Sequence, residues 1–485
     1  MPTVDERPRL RLPGRLLPWQ ASSVAVAAFA VVAALAAGWY IAEMGISFRE
    51  IVVVLLAAGV TIMVLTGERG LSVGLVLWTL TLGLGYRTVQ LTDHIKLHPA
   101  ELLLLGLLAL LIITRLILGT GRMTFWFPRW VLLMIPFWLW GWVPGLLEQR
   151  PWDLLFSEFR NSLLLLPLFW VVANLLREGN RLYSLLLAFY ATGTYIATLG
   201  MLEYFFPGVA GLLPGFISDP SAMLAPDGFQ RAAFSFYGHQ NAVFVCALSL
   251  PFGLVLLDRA RQQWQKVAVA AAFVLQISGV FIAGFRSMWL ALAVLLSAIL
   301  IRSLGFARGV VAVVIAAALS VPLFPSAVER RVGSLILTLS GRPDDSSGQD
   351  RWIKVKEATE ITLENPLGQG WGGSGWVHSD FLQVAGNLGI AAGIVFLCSY
   401  LVVLHRLWRR VAWNREAHIR GVLTFCLFLS FLTAGWLLAT EPMIVLPQTV
   451  LPIWLVWVLV ELELRRDPRQ DSPSGYGLVD SAPTA

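Results

Sequence analysis

The chain alternates between long uncharged runs and short polar or basic interruptions. The stretches "IVVVLLAAGVTIMVLT" (51–66) and "VAVAAAFVLQISGVFIAG" (267–284) carry no charged side chain. About 20 such residues cross a bilayer as a helix. Closed barrels also satisfy their backbone in lipid, but these runs lack the alternation of barrel strands. The pattern predicts an all-α polytopic integral membrane protein. Its candidate spans are 21–42, 51–66, 71–85, 100–118, 130–147, 160–176, 182–205, 234–257, 267–284, 287–301, 309–324, 380–404, 421–438 and 443–461. The third and tenth are short, so the expectation is about 12–14 transmembrane helices.

Composition agrees. Of 485 residues, 57% are hydrophobic and only 14% charged, where a soluble protein carries roughly a quarter charged. The mean hydropathy is +0.71. Cys246, Cys398 and Cys426 all fall inside apolar segments and read as small core residues, neither a disulfide framework nor a metal site. The start, "RPRLRLPGRLLPWQ" before an Ala/Val run, has the look of a signal peptide. The many spans that follow favour an uncleaved first helix.

Charge sets the expected topology. With the N-terminus inside, 23 of the 36 Lys and Arg residues fall on the cytoplasmic side, which predicts N-in/C-in and an even number of spans. The basic excess is thereby a topology signal and needs no nucleic-acid partner. The expected organisation is a basic cytoplasmic N-terminus (1–20), helices with short loops (21–324), one large external loop (325–379), C-terminal helices (380–466) and a polar cytoplasmic tail (467–485). Within the loop, Asp350 is the expected N-cap of a short helix. Trp352, Val355 and Thr359 would share one face of that helix, as an interfacial helix requires. No internal repeat is evident.

Several external positives lie where the inside rule disfavours them: Arg231, Arg286, Arg330, Arg331, Arg342, Arg351, Lys354 and Lys356. An anionic ligand is one use for them. Arg286 sits in "AGFRSMWL", a turn too tight for a soluble loop. There it is either a bidentate anion clamp or a headgroup anchor beside Trp289. Arg231 precedes "GHQNA", whose His239, Gln240 and Asn241 fall about two turns inside a span. They either line a cavity or pack helices. In "ENPLGQGWGGSGWVHSDFLQ", five glycines precede His378. They form either an anion-binding nest or a flexible turn, and they match no Walker or dinucleotide spacing. His378 is either a base at the mouth of a span or an interfacial cap, with Asp380 orienting it or stabilised by the helix dipole. Asp93, His94 and His98 are a loosely spaced metal candidate. Glu441 and Glu203 are acids that read as a second base or as solvated or cap residues.

Taken in order, "RAAFSFYGHQNA" from Arg231, "GFRS" with "WL" after one residue, Arg351–Trp352, "ENPLGQGWG" and "HSDFLQVAGNLGIAAG" from His378 resemble the O-antigen ligase and polymerase family. The resemblance covers roughly 228–404. Gln240 stands where the family commonly has proline, and Ser379 where asparagine often follows the histidine. The resemblance implies a glycosyltransferase of the bacterial inner membrane, its site facing the periplasm, working without metal, cofactor or nucleotide sugar. The implied donor is a glycan on undecaprenyl diphosphate. The acceptor is a lipid A-core sugar or another lipid-linked glycan. It also implies that Arg231 and Arg286 hold the diphosphate and His378 is the base. Asn241, Asp380 and Arg351 are the supporting candidates. The alternatives are a transporter or flippase for an anionic or lipid-linked substrate, and a structural membrane subunit.

Overall fold

The computed structural model describes residues 68–466 apart from 84–88, 93–94, 118–122, 177–178, 207–238, 313–314, 316–345, 376, 414–417, 442 and 445–446. The expected N-terminal segment 1–20, the spans at 21–42 and 51–66, most of that at 309–324 and the tail 467–485 lie outside the described residues.

The described chain is helical except for one small hairpin. Its first elements are α1 (Glu68–Thr81), β1 (Val89–Thr92), β2 (Ile95–Leu97) and α2 (Pro99–Ile112), which continues into a π turn. The two strands pair antiparallel, Val89 opposite Leu97, where only a short loop was expected. There follow α3 (Arg129–Trp140), α4 (Trp142–Leu147), α5 (Trp152–Leu163), α6 (Leu165–Leu175) and α7 (Gly179–Phe205). Next come α8 (His239–Ser249), α9 (Phe252–Arg259), α10 (Gln263–Ile282) and α11 (Arg286–Leu304). The chain ends with α12 (Ser346–Glu364), α13 (Asp380–Leu388), α14 (Ile390–Trp413), α15 (His418–Thr440) and α16 (Pro447–Arg465). Among the described residues, seven helical segments are long and apolar enough to cross a membrane, as an α-helical membrane protein requires. The pairs α3–α4 (Arg129–Leu147) and α5–α6 (Trp152–Leu175) each count as one.

Three expected spans have different limits. The helix expected from 160 begins at Trp152, because Pro151 sets the chain entering its first turn and needs no N–H partner there. The span 234–257 is divided between α8 and α9 at Leu250–Pro251, where proline denies the ladder a donor. The span 380–404 is divided between α13 and α14 by Gly389 at φ +98°. A Cβ there would stand 2.9 Å from the backbone of Pro366 and Leu367, so the break needs glycine for its torsion and for the close approach.

The core follows from the apolar pattern. "VLPIWLVWVLV" is hydrophobic all round, as a helix that meets only apolar surroundings, protein or lipid, must be. Every residue from Leu451 to Val460 is buried. Trp457 packs edge-on against Phe431 and tilted against Trp130 at 4.5 Å, with Phe396 and Tyr400 beside it. Buried Gln276 is satisfied by the Tyr190 carbonyl, Thr194 Oγ1 and Ser249 Oγ, each at 3.0 Å. Cys246 and Cys426 are buried free thiols as expected, whereas Cys398 is exposed. It lies on the outer side of α14, since one apolar residue in a span can face either protein or lipid.

Candidate functional site

The site forms where α12, the glycine-rich segment and α13 meet Glu158 of α5 and the end of α15. α12 begins at Ser346, so Asp350 lies inside it and is not its N-cap. Arg351, Val355, Ala358 and Thr362, three or four residues apart, occupy one stripe. Ala358 and Thr362 are buried, and α12 packs on α13.

The glycine-rich segment is a folded plug. Gly368 N–H donates to the Asn365 carbonyl (2.9 Å), Gln369 to Gly386 (2.8 Å), Gly370 to Asn387 (2.8 Å) and Trp371 to Gly141 (2.9 Å). Gly372 N–H donates to Glu158 Oε2 (3.0 Å), Gly373 to the Gly370 carbonyl (3.0 Å) and Ser374 to Asn387 Oδ1 (2.9 Å). Every backbone donor from Gly368 to Ser374 therefore has a protein acceptor. The segment is neither the flexible turn nor the open anion nest that its composition allowed. One of its donors already faces a carboxyl group, that of buried Glu158. That carboxyl group also accepts from Asn387 Nδ2 (2.6 Å) and Gln383 Nε2 (3.2 Å). Arg150 ties the segment from the other side, donating to the carbonyls of Gly370 (3.4 Å) and Trp371 (3.3 Å). Gly370 sits at φ +88°, and a Cβ there would be 2.4 Å from Gly145 N.

At the end of this plug stands His378. Its Nδ1 lies 3.7 Å from Glu441 Oε2, and its side chain keeps 20% of its surface open. The Glu441 side chain is 1% exposed, and its Oε1 is 2.9 Å from Arg351 NH2. The reading of Glu441 as a solvated acid is thus corrected. It is buried where α15 ends and carries two basic partners. His378 does not cap α13, whose N-cap is Ser379. Asp380 is fully buried, and its oxygens accept from the amides of Met443 (2.9 Å) and Ile444 (3.1 Å). Its task is to hold the chain after Glu441 against α13, which places it behind the His378–Glu441 contact.

The remaining candidates fall as follows. Arg231, Asp93 and His94 lie outside the described residues. Arg286 is the first residue of α11 and Asn241 lies in the first turn of α8; their side chains are outside the description. The α11 end is tied near the cluster, because Trp436, on the last turns of α15, donates to the Ser287 carbonyl at 3.0 Å. His98 is a helix cap: its Nδ1 accepts from Ala100 N–H, and its own N–H donates to Glu101, which pairs with Arg160 at 3.0 Å. No cluster of three metal-ligating side chains occurs among the described residues. Glu203 is buried at the end of α7.

Sequence reasoning missed Glu158, Gln383 and Asn387. A signal existed for two of them: Gln383 and Asn387 are one turn apart on "DFLQVAGNLG", whereas Glu158 lies among polar neighbours in "DLLFSEFRNS". No protein-family model matches the sequence, and a search of curated proteins finds no match.

Proposed function

We propose that the protein is a membrane glycosyltransferase that moves a glycan from undecaprenyl diphosphate to an acceptor sugar hydroxyl, as an O-antigen ligase or a repeat-unit polymerase does. The observation that carries this reading is the cluster of His378, Glu441 and Arg351. Glu441 faces Nδ1 of the imidazole, which leaves Nε2 for a substrate. A carboxylate so placed steadies the imidazolium formed on proton uptake. Arg351 balances the same carboxylate. In the reaction, His378 takes the acceptor hydroxyl proton and the oxygen attacks the anomeric carbon. The bond from that carbon to the diphosphate oxygen breaks, inverting the configuration. The diphosphate departs as an anion, and Arg286 and Arg231 are the residues the resemblance assigns to it. Arg286 opens a helix, and backbone donors at such an end also favour anions. In this reading the protein sits in the bacterial inner membrane with the site outward, the donor diffuses to it in the bilayer, and the acceptor is a lipid A-core sugar or a second lipid-linked glycan.

The test is reconstitution of purified protein with a lipid-linked oligosaccharide and candidate acceptors, comparing wild type with His378→Ala. A glycan–acceptor product identifies a ligase; a ladder of lengthening lipid-linked glycans identifies a polymerase. Full transfer by His378→Ala rejects the base assignment.

One observation favours a second reading. The breaks at Pro251 and Gly389 are of the kind on which transporters build binding sites. Movement of the lipid-linked donor or another anion across the bilayer, without transfer to any acceptor, would decide for a transporter or flippase.

A further inference from the structure

α12 shows two faces with different partners. Its Arg351–Thr362 stripe is turned to α13 and the site. About a quarter turn away, Trp352 and Leu363 stand 68% and 68% exposed, and Leu367, just past the helix, is 70% exposed. Exposed apolar side chains of this size, in line on one helix, mark a surface that meets something other than water. Lys356 and Thr359 stand on the same stripe between Trp352 and Leu363, where a lysine stem can lie along an interface with its ammonium among headgroups; Lys356 pairs with Glu360 at 3.7 Å, and exposed Glu357 lies further round the helix.

The depth of this surface identifies its occupant. The Leu367 carbonyl accepts from Trp140 Nε1 at 2.8 Å. Trp140 is seven residues short of the end of the membrane-length segment Arg129–Leu147, or about 10 Å along its axis. Trp371 reaches the same level, its indole donating to the Trp138 carbonyl at 2.9 Å. The chain after α12 therefore enters the bundle below the rim of a membrane span. Leu367 thus adjoins the exposed Trp140 of that span, and Leu139 beside it in the chain is exposed as well. A surface continuous with the lipid-facing side of a span meets the same lipid.

We propose that α12 lies edge-on in the membrane interface, with Trp352, Leu363 and Leu367 in contact with bilayer lipid while Arg351 on the adjoining face reaches Glu441. The expected interfacial face of Trp352, Val355 and Thr359 is thereby rotated. Val355 turns toward the protein, and Leu363 and Leu367 take its place. One helix then sets the height of the cluster relative to the bilayer, whatever chemistry that cluster performs.

The test is site-directed spin labelling in phosphatidylcholine–phosphatidylglycerol nanodiscs. Cysteines replace Trp352, Leu363, Leu367 and, as a water-facing reference, Glu360, one at a time. The background is Cys398→Ser, because Cys398 is the exposed native thiol. Accessibility to oxygen, which concentrates in lipid, is compared with accessibility to a water-soluble nickel chelate. The expected oxygen-to-nickel ratio at 363 and 367 exceeds that at 360 several-fold, with 352 nearer the interface. Equal ratios at 360, 363 and 367 would overturn the proposal by placing the face in water. Exclusion of both reagents from 363 and 367 would also overturn it, by showing a protein cover. Positions 363 and 367 report independently, so one variant that fails to fold leaves the other to decide.

Discussion

Replacing Glu158 separates hydrogen-bonding geometry from charge in the plug. Its Oε2 accepts from Gly372 N–H and Asn387 Nδ2, and its Oε1 accepts from Gln383 Nε2. Glu158→Leu leaves two buried donors and the part-buried Gly372 amide without an acceptor. At about 1–3 kcal/mol for each orphaned group, the loss is at least about 3 kcal/mol. Glu158→Gln behaves differently. Its carbonyl can occupy the Oε2 position and keep Gly372 and Asn387. The new amide then faces Gln383, whose Oε1 is buried without a hydrogen bond. A flip of the Gln383 amide turns that oxygen to accept, and its nitrogen takes the unpartnered position the oxygen held, so the number of unsatisfied buried groups is unchanged. What remains is the loss of charge assistance, about 1 kcal/mol. Hydrogen exchange of peptides covering 368–375, measured by mass spectrometry in nanodiscs, reads this directly. At about 1.4 kcal/mol per tenfold, Glu158→Leu should speed opening of the segment at least about 100-fold, and Glu158→Gln by about tenfold or less. Because the plug carries His378 at its end, loss of transfer should follow the exchange rates. Equal exchange in the Leu and Gln variants would refute the reasoning, since the carboxylate would then not be what holds the plug.

Two further substitutions test the frame around the site. Gly370→Ala puts a Cβ against the Gly145 backbone in a left-handed conformation; it should cost several kcal/mol and lower the midpoint of thermal unfolding followed by tryptophan fluorescence, whereas a midpoint equal to wild type would contradict the close approach. Arg410 closes the C-terminal end of α16 by donating to the carbonyls of Glu463, Leu464 (2.6 Å) and Arg466 (2.9 Å). Arg410→Gln should destabilise by about 1–3 kcal/mol, and Arg410→Lys should restore little, because a single ammonium cannot fork across three carbonyls; full recovery in the lysine variant would show that charge alone matters.

Much of the architecture was legible because bilayer-length apolar runs announce themselves one segment at a time. Where the reading slipped, the cause was local. Span limits at 152, 251 and 389 are set by single Pro or Gly residues, whose effect on an apolar run is a break or a start that hydropathy averages away. His378, Asp380, Arg351 and Glu441 were each visible as polar residues out of place. Their division of labour was not. Asp380 could have oriented His378 or stood at the helix start; it opens α13 with its oxygens holding the Met443 and Ile444 amides, and Glu441, 63 positions beyond His378, faces the imidazole. Glu158 was passed over because an acid near the start of a span looks like a solvated end until the helix is seen to begin at Trp152.

The sequence by itself determined that this is a helical membrane protein and that polar chemistry gathers around residues 350–380, because apolar runs and isolated charges are properties of the chain taken in order. Only the tertiary structure decided which acid serves which base, and whether the glycine donors stay open for a ligand or are satisfied by Glu158, Gly141 and Asn387. Those outcomes depend on which distant helix ends meet, and a carboxylate finds its donors across the bundle, where spacing along the chain carries no record of the contact.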